Sequence, residues 1–349
     1  MKKEIFAVDL FCGAGGLTHG LMLEGIKVNA GVDVDPACKF PFEENNESKF
    51  LEKNITSLKG ENLLSYFSDE NWKLLAGCAP CQPFSMYTQG QDKSNNDKWG
   101  LLYSFANLAE EIRPEVLTME NVPNLAEEKV FEDFVCKLED LGYTVNYYPS
   151  VDCRKYGIPQ QRRRLVLFAS IFGKIELIPQ THDKADYKTV RETIKHMEKI
   201  EAGKTSAKDN LHKSSSLSPI NLKRIRSSKQ GGTWRDWDES LVTKCHSRKS
   251  GKSYPSVYGR MEWDKPSPTM TTQCFGYGNG RFGHPEQDRA ISLREAALFQ
   301  TFPETYAFVS PDKKVSVKTV GKLIGNAVPV ELGRVIGKSI KAHLEKINV

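Results

Sequence analysis

Two cysteines, three positions apart, stand in the stretch Gly77-Cys78-Ala79-Pro80-Cys81-Gln82-Pro83-Phe84-Ser85. It follows a short apolar run over residues 72–76 that reads as a buried strand ending at a glycine. Pro80 and Pro83 bias Ala79 and Gln82 away from the helical region, which puts Cys81 on a non-helical loop just past a strand end. In open α/β sheets that edge is where ligands bind, and a cysteine presented rigidly there is a candidate nucleophile. The spacing of Cys78 and Cys81 also suits a redox pair or half of a zinc site. A structural zinc site needs a second pair at similar spacing, whereas Cys12, Cys38, Cys136, Cys153, Cys245 and Cys274 are scattered singly. A redox pair normally opens a helix, and Pro83 would then fall in its first turn. The nucleophile reading is the stronger, and no metal is expected.

The surrounding chain reads as strands alternating with helices, which is what holds such a loop at a sheet edge. Residues 5–11 are apolar around Asp9, then come Cys12-Gly13-Ala14-Gly15-Gly16 and a helix over 17–24. A strand, a glycine turn and a helix let backbone approach a ligand closely and aim helix amides at it. A second strand over 28–34 ends in Asp33-Val34-Asp35, and an acid at that tip is placed to hold ribose hydroxyls. The two features together indicate a nucleoside cofactor, and the lack of G-x-G-x-x-G argues against a dinucleotide. A third strand should end near Asn54 and Ile55. Residues 86–99 are polar with almost no apolar anchors and read as a mobile surface loop beside the nucleophile, placed to act as a lid.

A helix over 101–112 and a strand over 114–119 lead to Glu120-Asn121-Val122-Pro123, which puts Glu120 on the same sheet edge as Cys81. A helix over 130–141, a strand over 143–151 and a last strand over 162–169 follow. If the last two pair as a hairpin, Arg162 and Arg164 return to that edge on one face and Arg163 on the other. Ser292 and Glu295 have capping-box spacing and open a short helix, and Pro329 suits the first turn of a final helix whose apolar stripe is Leu332, Val335, Ile336 and Ile340.

In this order the motifs resemble the C5 cytosine-specific DNA methyltransferase family. The matching segments are Asp9 through Gly16, Pro80-Cys81-Gln82, Glu120-Asn121-Val122, Gln160 through Arg164, Arg294-Glu295 with Gln300 and Phe302-Pro303, and Gly325-Asn326. They span nearly the whole chain except about 180–255. The resemblance implies an α/β, Rossmann-like S-adenosylmethionine-dependent fold, with a mostly parallel sheet, one antiparallel strand and a smaller, irregular, β-rich target-recognition domain. It implies a catalytic domain over 1–178 completed by 322–349, target recognition over 179–290, and a connecting hinge over 291–321.

Cys81, Glu120, Arg162 and Arg164 would then be catalytic. Phe11, Gly13, Ala14, Gly15, Gly16, Asp33, Val34, Asn54, Ile55, Pro80, Leu102, Asn326 and Val328 would form the cofactor pocket. Thr269 matches a DNA-backbone contact, and Ser85 and Arg260 are further candidates for contact with DNA. Two departures stand out. Asn54 replaces a frequent acid, although its amide oxygen can still accept from an adenine amino group. Val34 stands where some members carry an aromatic residue, which weakens adenine stacking.

The chemistry fits these residue types. Cytosine C5 is a poor nucleophile until a thiolate adds at C6, and nearby cations favour the thiolate. A glutamate can donate to N3 and hold the exocyclic amine. A base inside a duplex must be flipped out before any of this can happen. A tRNA cytosine methyltransferase of the same fold is the alternative, and a DNA-binding relative with a decayed site is a third reading that the intact Cys81, Glu120, Arg162 and Arg164 set opposes.

Composition agrees with a nucleic-acid enzyme. Of the 349 residues 39% are hydrophobic, the mean hydropathy is −0.48, and no run approaches the length of a membrane span. Between His182 and Arg260 there are 18 Lys/Arg against 9 Asp/Glu, a net +9, while the whole chain carries only +5. The excess is interleaved with Trp234, Trp237, Tyr254 and Tyr258, which suggests a polyanion surface, double-stranded DNA above all. Eight cysteines without a pattern suit a reducing, cytosol-like compartment. The resemblance to compact bacterial members of the family implies a cytoplasmic protein, nucleoid-associated in a bacterium, with a cognate restriction endonuclease as a candidate companion, and a monomer is expected.

Overall fold

A computed structural model describes residues 3–80, 100–246, 248 and 255–347. The chain divides into two compact units. The first comprises Met1–Tyr156, Arg163–Gln180 and Val328–Val349, and the second Gly157–Arg162 and Thr181–Ala327.

The first unit is built on a seven-stranded sheet: β1 (Ile5–Leu10), β2 (Lys27–Asp33), β3 (Lys49–Glu52), β4 (Trp72–Gly77), β5 (Val116–Asn121), β6 (Thr144–Asp152) and β7 (Arg163–Ser170). The spatial order is β3-β2-β1-β4-β5-β7-β6. Strands β3 through β5 pair in parallel, and β7 runs antiparallel to both neighbours. β1 and β4 are apolar at nearly every position because helices cover both faces of the sheet. On one side lie α4 (Gly100–Ile112) and α5 (Lys129–Asp140), with Phe105 and Phe134 in ring contact at 5.5 Å. On the other, α1 (Gly16–Leu23) packs on the C-terminal α10 (Val330–Glu345). Gly20 permits this, since a Cβ there would sit 2.7 Å from the Gly333 Cα. Leu332, Val335, Ile336 and Ile340 are all buried, as the stripe requires. Short helices α2 (Lys39–Asn45) and α3 (Glu61–Leu64) complete the unit.

Strand order reverses between β1 and β4, so their carboxyl ends flank the crevice in which ligands of open α/β sheets bind. The segments leaving that edge are Phe11 through Gly16 after β1 and Cys78 through Pro80 after β4.

The second unit is irregular. It holds α6 (Val190–Ile194), α7 (Pro219–Arg226), α8 (Leu293–Phe299) and α9 (Val317–Asn326). Among its described residues the expected β character is confined to isolated bridges, such as Gln160 with Ser267 and Arg260 with Gly283. The capping box of Ser292 and Glu295 forms as the spacing suggests. Trp234 and Trp237 were expected on a polyanion surface. Instead both are buried in a core with Ile225, Tyr277 and Ala290, and Tyr258 packs against it. Their large apolar area outweighs any stacking role in a unit whose described residues form no sheet. Tyr254 lies outside the described residues.

Candidate active site

The turn after β1 is shaped for close approach. Phe11 takes φ 59°, left-handed backbone that costs a bulky residue on the order of 1–2 kcal/mol. Gly13 and Gly15 share that region at φ 54° and 88°. Gly15 caps α1 without any side-chain hydrogen bond, so the first-turn amides are not satisfied by a capping residue. Asp33 at the tip of β2 accepts from the Gly13 amide at 3.0 Å and the Asp35 amide at 2.9 Å, which ties turn and strand together. Asp9 is fully buried and accepts from the Thr18 hydroxyl through Oδ2 at 2.6 Å, while Oδ1 has no hydrogen-bond partner. Burial, with the nearby Asp33 carboxylate adding to it, pushes its pKa up to about 7. Burial likewise drives the Cys12 thiol well above its ordinary value.

The remaining pocket candidates in the first unit are distributed as follows. Ala14 and Gly16 are buried in the turn, and Val34 is 60% exposed just beyond Asp33. Asn54 caps the short turn Ile55–Ser57, its side-chain oxygen accepting from Thr56 N–H at 3.1 Å, so the acceptor expected for adenine is already engaged once. Ile55 and Leu102 are buried, Pro80 is exposed at the end of the β4 segment, and Val328 is buried where the chain returns to this unit. Asn326 ends α9 in the second unit and is exposed.

Glu120 is the next-to-last residue of β5 and only 2% exposed. β7 starts beside it, and Arg164 Nε lies 2.8 Å from Glu120 Oε1. The Cys78 thiol donates to Oε2 at 2.8 Å. Asn121, on the opposite face of β5, donates from Nδ2 to the Ala79 carbonyl at 3.1 Å and so tethers the segment that carries Cys81. Neither Cys78 nor Asn121 was singled out as a site residue from sequence. Their neighbours Cys81 and Glu120 drew that attention, although the β4–β5 register was the signal that could have found both. Cys81 and Ser85, like the expected lid over 86–99, lie outside the described residues.

Arg162 was expected to share a strand face with Arg164, whereas the strand starts one residue later. β7 begins at Arg163, and Arg162 belongs to the second unit. There it is 3% exposed and donates to the Met270 carbonyl at 3.1 Å and the Ala327 carbonyl at 3.3 Å. The same buried network joins Gln160 to Gln300 at 2.8 Å and Gln300 to the Ile324 carbonyl at 2.7 Å. Main-chain carbonyls inside a protein demand donors, and Arg162 supplies them.

Arg260 is likewise corrected. It was expected to touch DNA, but it is 5% exposed and donates to the carbonyls of Ile225, Ser228, His284 and Gln287 and to Asp288. Its guanidinium is spent inside the unit. Thr269 is half-buried, and its hydroxyl donates to the Gln161 carbonyl. Among the described residues, no group of three or more His, Cys, Asp or Glu side chains is gathered as a metal site would require.

The family model for C-5 cytosine-specific DNA methylase matches residues 5–342. The chain belongs to this family of DNA cytosine-5 methyltransferases. Among similar proteins, the Type II methylase M.HgiDII of Herpetosiphon aurantiacus is 54% identical over 98% of this chain and 96% of its own length. The Type II methyltransferase M.Eco47II of Escherichia coli is 31% identical over 100% of this chain and 82% of its own. Of solved structures, the Dnmt2 methyltransferase of S. pombe shares the fold at TM-score 0.66 and 18% identity, covering 99% of this chain and 100% of that one. The α/β methyltransferase fold expected from sequence is thus the one present. No helix among the described residues is long and apolar enough to cross a membrane.

Proposed function

We propose that this chain transfers the methyl group of S-adenosylmethionine to C5 of a flipped-out cytosine in a specific duplex DNA sequence, as the modification partner of a restriction endonuclease in the cytoplasm. The observation that carries the reading is the Glu120–Arg164 pair, set on the sheet edge where Cys78 through Pro80 leave β4 immediately before Cys81 in the sequence. The first unit is read as the catalytic and cofactor-binding part, and the second as the part that recognises DNA.

The residues present fit the cofactor. An α1 terminus without a side-chain cap suits an amino-acid carboxylate, and Asp33 offers oxygens to ribose hydroxyls. S-adenosylmethionine supplies an electrophilic methyl group. Cys81 adds to C6 of the cytosine, Glu120 delivers a proton to N3, and Arg164 holds the Glu120 carboxylate in line. After transfer a water molecule takes the C5 proton, the C5–C6 double bond reforms as Cys81 leaves as thiolate, and N3 returns its proton to Glu120. A duplex substrate is favoured over tRNA by the similarity to Type II methylases and by the basic excess of residues 182–260.

The test is tritiated methyl transfer to duplex DNA by wild type and Cys81→Ser in parallel. Label on cytosine C5, abolished by the substitution, is expected. Label on tRNA alone would replace the substrate, and no label on either would remove the mechanism.

A further inference from the structure

Glu120 has one oxygen on Arg164 and the other on a thiol that no part of the mechanism above uses. β4 and β5 pair in parallel with Gly77 opposite Met119, so the next pair sets residue 78 beside residue 120 with side chains on one face. The Cys78 backbone is fixed in turn by its amide, which donates to the Leu10 carbonyl at 3.2 Å. Arg164 reaches Glu120 through Nε, while its NH1 donates to the Arg163 carbonyl at 2.7 Å. The Arg164 contact is an ion pair without hydrogen-bond geometry, since Oε1 has no hydrogen-bond partner, so it attracts the carboxylate without fixing its plane. A glutamate's terminal torsion is broad and two-fold, and the thiol on Oε2 supplies the directional donor that Arg164 does not.

We propose that Cys78 is a positioning residue for Glu120: its thiol, donating to Oε2 against Arg164 on Oε1, fixes the plane of the carboxylate that meets the cytosine. The proposal rests on the catalytic reading of Glu120. A thiol is a weak donor, so its removal slows the reaction by about three- to tenfold and does not abolish it. The loss falls on kcat, because the group acts on a residue engaged in the transition state and touches neither substrate itself.

Cys78→Ala, Cys78→Ser, Glu120→Gln and the Cys78→Ala/Glu120→Gln double variant are compared with wild type. The readouts are kcat, the KM values for duplex DNA and S-adenosylmethionine, and the rate of covalent trapping by duplex DNA carrying 5-fluorocytosine. The expected result is a lower kcat and a slower trapping rate for Cys78→Ala, with both KM values within about twofold of wild type. Recovery in Cys78→Ser, which keeps a donor, and no further loss when Cys78→Ala is added to Glu120→Gln complete the pattern. A wild-type kcat in Cys78→Ala, equal losses in the alanine and serine variants, or a loss confined to KM would each overturn it. Should Cys78→Ala not fold, Cys78→Val supplies a donor-free side chain of similar volume. Absence of C5 transfer by wild type is a different failure, which removes the reading of Glu120 and this proposal with it.

Discussion

Deleting Arg164 while keeping Glu120 should destabilise the first unit more than deleting both charges together would suggest. The two groups meet at 2.8 Å, with side-chain exposures of 13% for Arg164 and 2% for Glu120. Removing one partner of a buried pair leaves an uncompensated charge and costs about 3–5 kcal/mol. The partial exposure of Arg164 and the thiol on Oε2 soften this, so Arg164→Met should lose about 3 kcal/mol. Glu120→Gln should lose less, because the orphaned guanidinium reaches water. In the double variant the losses should fall short of their sum by about 2 kcal/mol, the signature of direct coupling. Urea unfolding followed by circular dichroism measures all four proteins, and methyl transfer to duplex DNA should be slowed, with a residual measurable rate, in every variant. A coupling below about 0.5 kcal/mol, or a wild-type kcat in Arg164→Met, would falsify the claim that Arg164 holds Glu120 for chemistry.

Two further outcomes follow from buried groups. Asp9 is raised by burial from its ordinary 3.8 to about 7, so the folded protein binds an extra proton between those values and its stability falls as pH rises through that window. Asp9→Asn should therefore be more stable than wild type at pH 8, on the order of 2–4 kcal/mol, with the difference fading near pH 4 in urea titrations at both pH values. Arg260→Met should lower the unfolding free energy of the second unit by on the order of 2–4 kcal/mol in urea titrations, since it strips donors from four buried carbonyls and takes from Asp288 one of its two arginine partners, leaving Arg226. The salt dependence of DNA binding by the folded variant should keep its wild-type slope, whereas loss of a phosphate contact would reduce the slope by about one.

Much of the first unit was legible because its signals are local. Strands β1 and β4 are short apolar runs bounded by glycine turns, and their ends carry the residues of interest. The hairpin of β6 and β7 could be read from two adjacent apolar segments, and it brings Arg164 to Glu120. It misled at Arg162, where alternation along an assumed strand was extended one residue beyond its start. α9 was missed because Val317, Thr319, Gly321 and Gly325 lower helix propensity, and only packing shows why the glycines are there. A Cβ on Gly321 would press into the Phe275 ring.

In the second unit charge and aromatic content pointed outward, whereas burial turned them inward. Trp234, Trp237 and Arg260 look like nucleic-acid residues by type, yet each fills a need of a unit whose described residues include no sheet to organise its core. Side-chain chemistry and spacing along the chain determined the family, the nucleophile candidate and the glycine turn, because those signals lie within a few residues of one another. Which carbonyl or carboxylate each polar group meets was decided only by the tertiary structure. Arg162 and Arg164 are two residues apart and of one type, and only the carbonyls or carboxylate that folding sets before each tell them apart.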